Sequence, residues 1–400
     1  MDRIVVKSAA RSRHSNTDKS LRLGFVPLID AAPLIVAHEM GFFEEEGLCV
    51  QLERQIGWAN VRDKLTFGHL DASHSLLGMP LASRLGRDWF AEPLLAVMSL
   101  GGGGNAISIS SQLSEAGINS AATLAKWVHD RHSARQLVFA HVFNYSMHHY
   151  LLREWLAAAG INPDLDVQLV TIPPSQVAEH MSRHYLDGYC VGEPWNMLAL
   201  KRGFGTVIAA TVDILPNHPE KVLAVTESWA AAHPAELRSM VKAILKACVY
   251  CNHPAHVRKL AEVLSRSHYI NAPADILEAS LAADRSFAVN AKYRSSRTED
   301  WQVRSFAAEH TFPSATHCVW MMEQMVRWGH LSQDIDALAV AAQCTDTTAW
   351  REAAASLGFA IPADDFPPMP LRNGQVFEAR PLPVLPIRDG ISRQPTAASA

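Results

Sequence analysis

Hydrophobic and polar residues follow two different periods along this chain, and the two periods alternate. Apolar residues at every second position indicate short strands, and apolar residues at helical spacing indicate helices between them. In the first part of the chain the predicted strands are residues 21–25, 48–52, 70–73 and 94–98, and the predicted helices are residues 34–40, 61–67 and 79–85. Strands and helices alternating at this spacing predict βαβ units around a parallel sheet.

The same alternation restarts at residues 105–110. The strands predicted next are residues 136–140, 167–172 and 189–191, and the helices are residues 146–159, 176–185 and 196–201. Leu-Asp followed by a small residue stands between a helix and a strand twice, at residues 70–72 and 186–188. This repetition indicates that two lobes share one supersecondary plan.

A third section begins near Leu215, with a short strand at residues 221–225 and a long helix at residues 234–250. Further helices are predicted as far as about residue 328 and again at residues 334–357. Residues 1–20 and 362–400 have no hydrophobic period, and the second of these segments is rich in proline. We therefore expect a mobile N-terminal tail and an extended C-terminal tail.

The composition describes a globular protein that is too long for one ordinary domain. The chain has 400 residues, of which 48% are hydrophobic and 19% charged, and its net charge is −4. Two lobes with tails are the natural expectation. The net negative charge does not indicate direct nucleic-acid binding, which usually requires an excess of basic residues. No apolar run is long enough for a membrane span.

The first twenty residues and the cysteines favour a cytoplasmic location. The N-terminal segment has no apolar core of the signal-peptide kind, and it has no cysteine for a lipid anchor, since the first cysteine is Cys49. Six cysteines are scattered through apolar surroundings, which is typical of reduced thiols.

Motifs that would indicate catalysis are missing from the sequence. Cys248 and Cys251 form a CxxC inside an apolar helix without a second pair, which favours buried thiols over a metal site. The glycines at 101–104 follow a strand but do not open a helix with dinucleotide-binding spacing. We therefore expect a binding protein without a cofactor or a metal, and not an enzyme.

The stretch at residues 187–195 is the first candidate for binding. A strand stops at Gly192, and Glu193, Pro194 and Trp195 lead into a helix. Bare backbone N–H groups at such a turn suit a small anion, and Trp195 could form the wall of a pocket. On the local sequence alone, an ordinary strand-to-helix turn with a core tryptophan is the better interpretation.

Four other residues are candidates for contacting a small anion. Trp58 stands just before a predicted helix, Asn105 follows four glycines, His148 lies in the first turn of a helix, and Lys221 precedes a strand. Free amide groups gather in the first turn of a helix. Each of these residues taken alone is more often structural than ligand-binding.

Several strings in this order resemble the nitrate/bicarbonate-binding proteins of ABC importers (NrtA/CmpA-like). The similarity runs from about residue 21 to about residue 359. The strings are Leu23-Gly-Phe-Val-Pro-Leu28, Trp58-Ala-Asn-Val-Arg-Asp-Lys64, Tyr150-Leu-Leu-Arg-Glu-Trp155, Cys190-Val-Gly-Glu-Pro-Trp195, His218-Pro-Glu-Lys-Val222 and Ser267-His-Tyr-Ile-Asn-Ala-Pro273.

The resemblance implies the type II periplasmic-binding-protein fold, an α/β fold with two lobes, two crossovers and a ligand cleft between the lobes. It places lobe 1 at residues 21–108 plus 216–330 and lobe 2 at residues 109–215. Residues 331–361 would form a C-terminal helical extension that packs on lobe 1.

The resemblance also implies a nitrate site made of Trp58, Asn105, His148, Gly192 and Lys221, with Glu193, Pro194 and Trp195 as pocket wall. Nitrate is a planar anion that only accepts hydrogen bonds, so we expect a site made of donors. Bicarbonate-binding relatives lack the lysine and use a carboxylate with calcium. Lys221 therefore favours nitrate or nitrite.

Because an export signal is not expected, the chain resembles the cytoplasmic nitrate sensors of the NasS type. Such sensors hold an RNA-binding antiterminator of the ANTAR class (NasT-like) when nitrate is absent and release it when nitrate binds. The resemblance thus implies control of transcription antitermination in nitrate assimilation, with neither direct nucleic-acid contact nor a membrane partner.

Two alternatives remain. The chain could be the substrate-binding component of a nitrate, or less readily a bicarbonate, ABC importer. It could also be a pyrimidine-precursor synthase of thiamine biosynthesis, which shares this fold. That enzyme needs a cysteine-rich iron site, which the scattered cysteines here do not supply.

Overall fold

The computed structural model describes most of the chain. The described residues are 20–87, 90, 92–130, 135–216, 218–282, 306–307, 310–332, 334–371 and 375–382. The tail expected at residues 1–20 lies outside these ranges except for Ser20, as does the end of the proline-rich segment.

Strands and helices alternate in the described part of the chain as the hydrophobic pattern predicts. The strands are β1 (Leu21–Phe25), β2 (Val50–Arg54), β3 (Ala72–Leu76), β4 (Leu94–Ser99), β5 (Asn105–Ser110), β6 (Leu137–His141), β7 (Val167–Thr171), β8 (Gly188–Gly192), β9 (Gly205–Ala210), β10 (Lys221–Thr226), β11 (Met369–Pro370) and β12 (Val376–Phe377). The α-helices are α1 (Ala32–Glu39), α2 (Phe42–Glu45), α3 (Trp58–Thr66), α4 (Gly78–Arg84), α5 (Ser111–Glu115), α6 (Ala121–His129), α7 (Met147–Ala158), α8 (Val177–Ser182), α9 (Trp195–Lys201), α10 (Glu227–Ala232), α11 (Pro234–Cys251), α12 (Val257–Leu264), α13 (Ala274–Ala282), α14 (Ala315–Arg327), α15 (Ala337–Cys344) and α16 (Thr348–Leu357).

The larger strands form two five-stranded sheets, one in each lobe. The strand order is β2-β1-β3-β10-β4 in the first sheet and β7-β6-β8-β5-β9 in the second. The sheets are mixed rather than parallel throughout, because β10 runs antiparallel to both of its neighbours, and so does β5. Each of these two strands reaches its sheet from the other lobe. The fold is the two-lobed α/β arrangement of the type II periplasmic-binding proteins.

The repeated Leu-Asp dipeptide has the same role in both lobes. The carboxylate of Asp71 accepts a hydrogen bond of 2.7 Å from the backbone N–H of Arg22, in the first strand of its sheet. The carboxylate of Asp187 accepts one of 2.7 Å from the backbone N–H of Val138 in β6, which has the same place in its sheet as β1 has in the other. The sheets also share one strand order, so the expected common plan is confirmed.

The two crossovers between the lobes run side by side. One of them connects β4 to β5 through residues 100–104, and the other connects β9 to β10. Gly102 forms a bridge with Pro219, and the Gly103 N–H donates to the His218 carbonyl at 3.1 Å. Gly103 has a φ angle of 72°, which glycine adopts without strain.

The expected lobe boundary after residue 108 falls inside a strand. From Asn105 onward β5 pairs with β8, so the chain leaves the first sheet at residues 100–104. Asn105 therefore belongs to the second lobe and not to the first. The sequence alone hides this boundary because a glycine run carries no hydrophobic period.

The C-terminal helices α15 and α16 pack on the first lobe, against α4, α11 and β4. Trp350, on α16, is buried. Beyond them, β11 and β12 form a short antiparallel ribbon that buries Met369 and Phe377. This part of the segment expected to be an extended tail is packed onto the protein. No helix in the described ranges has both the length and the apolarity that crossing a bilayer requires.

The lobes are closed on each other. The indole N–H of Trp195 donates to the Pro27 carbonyl at 3.0 Å, and the backbone N–H of Ile29 donates to the Glu193 carbonyl at 2.9 Å. Farther out, α7 of the second lobe meets the end of α14, where the Tyr150 hydroxyl lies 3.1 Å from His330 Nδ1. Buried apolar residues form one continuous cluster across this contact.

Candidate functional site

The five predicted anion ligands come together where the crossovers meet the cleft. Lys221 and Asn105 are the first residues of β10 and β5, and Gly192 is the last residue of β8. His148 lies in the first turn of α7, and Trp58 is the first residue of α3. The side chains of the four non-glycine residues are at most 1% exposed. Trp58 and Lys221 belong to the first lobe and the other three to the second.

Lys221 is the cation at the centre of the site. Its Nζ lies 2.7 Å from Asp30 Oδ2, also donates to Glu220 Oε2, and lies 5.9 Å from the centroid of the Trp58 ring. Burial alone would lower the pKa of Lys221, but the charges of Asp30 and Glu220 outweigh it and raise that pKa. The ammonium is therefore permanently charged at neutral pH.

Asn105 and Gly192 face each other across the second sheet as register partners. The Asn105 Nδ2 amide donates to Glu220 Oε1, while its Oδ1 has no hydrogen-bond partner among the described residues. A Cβ added to Gly192 would lie 3.2 Å from Asn105 Oδ1 and 3.8 Å from Asp30 Oδ2. The glycine thus lets the backbone of the second lobe approach the charged groups of the first.

His148 is fully buried, and neither of its ring nitrogens has a hydrogen-bond partner in the described part of the chain. Its Nε2 lies 4.0 Å from Glu220 Oε2, beyond hydrogen-bonding distance. Burial lowers the pKa of His148 well below its ordinary value, and the charge of Lys221 lowers it further. The ring is therefore neutral and has one N–H that it can donate to a ligand.

Sequence reasoning missed the acidic half of the site, Asp30 and Glu220. Asp30 follows the turn after β1, and Glu220 directly precedes Lys221. Burial would raise the pKa of Asp30, but Lys221 and His74 hold it well below its usual range. For Glu220 burial prevails and raises the pKa to about 7, although Lys221 opposes it. The expectation of a site made only of donors is wrong.

Two further histidines surround these carboxylates. His74 Nε2 lies 2.9 Å from Asp30 Oδ1, and the His74 ring lies 5.2 Å from that of Trp58. His218 Nδ1 lies 3.6 Å from Glu220 Oε1. Burial lowers the pKa of both rings, that of His218 to about 4. One feature of the sequence could have identified Asp30 as a site residue: it lies beyond the carboxyl end of a parallel strand, where ligands commonly bind in such sheets.

The predicted pocket wall has two roles. A cavity next to the site is lined by residues 101–104 and by Ile29, Asp30, Leu100, Glu193 and Glu220. Glu193 is one of the residues that border this cavity. Pro194 and Trp195 do not line it; Pro194 precedes α9, and Trp195 joins the lobes through its bond to Pro27.

The other residues considered from the sequence lie apart from this site. Cys248 and Cys251 are buried free thiols on α11. Within the described ranges, no group of three or more histidine, cysteine or acidic side chains is arranged to hold a metal ion. In sum, the site combines one ammonium, two carboxylates, neutral imidazoles and an amide, buried between two lobes.

Known proteins resemble this chain in sequence and in structure. A profile of the NMT1-like family matches residues 14–265. The nitrate/nitrite binding protein NrtA of Synechococcus elongatus is 31% identical over 359 residues, which are 87% of this chain and 80% of that protein. The bicarbonate transport ATP-binding protein CmpC of Synechocystis is 36% identical over 381 residues, which are 93% of this chain and 55% of CmpC. The chain thus spans about half the length of such ATP-binding relatives.

The structural comparison agrees with the sequences. The crystal structure of the periplasmic nitrate-binding protein NrtA from Synechocystis superposes with a TM-score of 0.82 at 25% identity, covering 90% of this chain and 95% of that one. Family profile, relatives and structure point the same way, and this chain belongs to the NMT1-like family, among relatives of the NrtA/CmpA kind.

Proposed function

We propose that this chain is a binding protein for nitrate or nitrite, without enzymatic activity, and that the anion is held between the lobes. The observation that carries the proposal is the convergence of Lys221 from one lobe with Asn105 and His148 from the other. Trp58 and Gly192 complete the site as an aromatic wall and a bare backbone.

The chemistry of these groups suits a planar oxyanion. An ammonium and a neutral imidazole N–H donate to separate oxygens, and hydrogen bonds to a charged acceptor are stronger than neutral ones. An anion bonded to both lobes also favours the closed arrangement over an open one. Two relatives support this ligand by name, since NrtA of Synechococcus elongatus and NrtA of Nostoc are nitrate/nitrite binding proteins.

Bicarbonate is the second candidate, because the site contains carboxylates. Glu220 can accept a hydrogen bond from the O–H of bicarbonate, and nitrate has no O–H to offer. The CmpC relatives are named for bicarbonate transport. Against this candidate stands Lys221, which contributes a permanent cation to the site.

Isothermal titration calorimetry with nitrate, nitrite, bicarbonate and sulfate at pH 6 and pH 8 tests the proposal. We expect saturable 1:1 binding of nitrate or nitrite at pH 6. Tighter binding of bicarbonate than of nitrate at both pH values would show that bicarbonate is the preferred ligand of the site. Absence of binding by every anion would refute the proposed function.

For the cellular role, we infer a cytoplasmic sensor that binds an ANTAR-type (NasT-like) antiterminator in its open form and releases it when nitrate closes the cleft. The support is the clamp-like construction, in which the site takes side chains from both lobes beside paired crossovers. A net charge of −4 is compatible with control of an RNA-binding partner without contact with RNA.

The sensor role requires reciprocal coupling between anion and partner. A coupling of ~2–3 kcal/mol would weaken the complex roughly 30- to 150-fold on nitrate binding, and the partner would weaken nitrate binding by the same factor. The measurement is the nitrate dissociation constant with and without saturating antiterminator. Equal constants, or a native protein recovered from the periplasm, would favour the importer component instead.

A further inference from the structure

Glu220 occupies the donors that an anion in this site would use. Its Oε1 accepts from the Asn105 amide, and its Oε2 accepts from the Lys221 ammonium. The same Oε2 lies 4.0 Å from His148 Nε2. A carboxylate is itself a planar group with a single negative charge, so Glu220 resembles a bound oxyanion that the chain supplies.

The charge balance makes this occupation important. With Asp30 and Glu220 both ionised, the two carboxylates outnumber the single ammonium of Lys221, and an added anion would meet a net negative site. Among the described residues, six titratable groups face Glu220 or lie near it: they are Lys221, Asp30, His148, His218, Cys190 and, across the cavity, Glu193. Lys221 is the only one of these that is positively charged at neutral pH.

We propose that Glu220 is an internal competitor of the anion, and that nitrate binds only as Glu220 takes up one proton and gives up its bonds to Lys221 and Asn105. This inference rests on the proposed function. Its balance is simple: one nitrate and one proton enter together, and no covalent bond of the ligand changes. After the exchange, the ammonium of Lys221 still faces Asp30, and the Asn105 amide is free to donate to nitrate.

Glu220 titrates in a pH range where coupling between nitrate binding and proton uptake can be measured. Burial raises its pKa to about 7, so the carboxyl is half protonated near neutral pH. Asp30 cannot take this role, because its pKa lies well below the usual range. Glu193, whose pKa burial also raises to about 7, and the neutral His148 are the remaining rivals for the proton, so the test must separate both from Glu220.

The first test uses the unaltered protein. Nitrate is titrated by calorimetry between pH 6 and pH 8.5 in buffers of different ionisation enthalpy, which gives the number of protons taken up. With one proton bound at a group of pKa about 7, nitrate affinity should fall about 30-fold between these pH values. Proton uptake should approach one per nitrate at the upper end. A constant affinity with no proton uptake would overturn the proposal.

The second test assigns the proton. Glu220→Gln removes the competing charge, so its nitrate affinity at pH 8.5 should be at least about tenfold higher than that of the wild type and nearly independent of pH. Glu193→Gln is the matched control, because burial raises the pKa of Glu193 to about 7 also, although its carboxylate accepts from Met197 N–H instead of Lys221. His148→Gln is the second control. Both controls should keep the pH dependence of the wild type.

The outcomes separate this inference from the proposed function. Nitrate binding that does not depend on pH would support the proposed function and refute the role of Glu220 as a competitor. A pH dependence that persists in Glu220→Gln and disappears in His148→Gln would also overturn it. No nitrate binding at any pH, in the wild type or in Glu220→Gln, would refute both.

Discussion

The ammonium nitrogen of Lys221 lies 2.7 Å from a carboxylate oxygen of Asp30, and the lysine side chain is fully buried. The two residues stand far apart in the chain, at the start of β10 and beyond the end of β1. Their contact fixes the cation of the site inside the first lobe, before any anion arrives. The ion pair therefore stabilises the folded site and also positions the cation for a ligand.

This pair makes a stability prediction. Lys221→Met leaves Asp30 and Glu220 buried without their cation, and breaking a buried ion pair costs about 3–5 kcal/mol. Adding Asp30→Asn to it should restore part of the loss. The measurement is the free energy of unfolding by urea at pH 8. Lys246→Met is the control: its ammonium pairs with Glu45 and Glu46 at the surface, so the loss should stay within about 1 kcal/mol. Equal losses in both lysine variants would contradict the ion-pair account.

We expect His148→Ala to lower the affinity for nitrate. Its ring has no hydrogen-bond partner among the described residues, so His148→Ala removes no bond that the free protein makes. With nitrate bound, it removes one hydrogen bond to an anion, which is worth about 1.5–3 kcal/mol. Calorimetry should show a dissociation constant raised roughly 10- to 150-fold. An unchanged constant would place His148 outside the site.

Trp195 tests the closure of the lobes. Trp195→Phe keeps the aromatic ring and removes the N–H that donates to the Pro27 carbonyl in the other lobe. Losing a neutral hydrogen bond costs about 0.5–1.5 kcal/mol, so nitrate affinity should fall roughly 2- to 12-fold. Solution scattering should show a larger radius of gyration without ligand. Trp350→Phe is the control, because the Trp350 indole donates to Thr311 within the packed C-terminal region. It should lower stability and leave affinity unchanged; equal affinities in the two variants would contradict the closure.

Four buried or half-buried histidines predict sensitivity to acid. Burial lowers the pKa of His141, His218, His317 and His330 to about 4. In the unfolded chain these rings titrate near their ordinary value of 6.5. Their contribution to stability is thus present above pH 6.5 and is lost as the pH falls toward 4. Glu193 and Glu220 have raised pKa values, so their contribution to stability increases as the pH falls from 7 to 4.5.

Because the histidines outnumber these two carboxylates, the free energy of unfolding by urea should fall between pH 6.5 and pH 5. His317→Gln should make this fall shallower than in the wild type. A stability that stays level or increases as the pH falls from 6.5 to 5 would contradict the prediction that these histidines are neutral in the folded protein.

The sequence was informative wherever a single strand or helix carried the signal. The strand ends at Gly192 and Lys221 and the start of α7 at His148 follow from local hydrophobic period and turn residues, and all three lie at the site. The shared plan of the lobes was visible in the two Leu-Asp dipeptides, since each aspartate accepts a hydrogen bond from the strand next to the edge strand of its sheet, β1 or β6.

What the sequence could not show were contacts made through the crossovers. Glu220 follows a proline and precedes a lysine, a context typical of surface. It is nevertheless buried, next to the point where Gly102 pairs with Pro219. Asp30 is part of the site because it pairs with Lys221, which stands at the start of the second chain segment of the first lobe. The sequence placed Asn105 in the first lobe because the preceding glycines conceal the point at which the chain leaves the first sheet. Its pairing with β8 places it in the second lobe.

The central claim, an anion held between the lobes by Lys221, Asn105 and His148, is tested most directly by a crystal structure of the protein grown with nitrate at pH 6. The account predicts planar three-oxygen density within about 3 Å of Lys221 Nζ, the Asn105 amide and a His148 ring nitrogen, with Glu220 turned away from Asn105. Nitrate bound outside the cleft, or a cleft unchanged in saturating nitrate with Glu220 still bonded to Lys221 and Asn105, would contradict it.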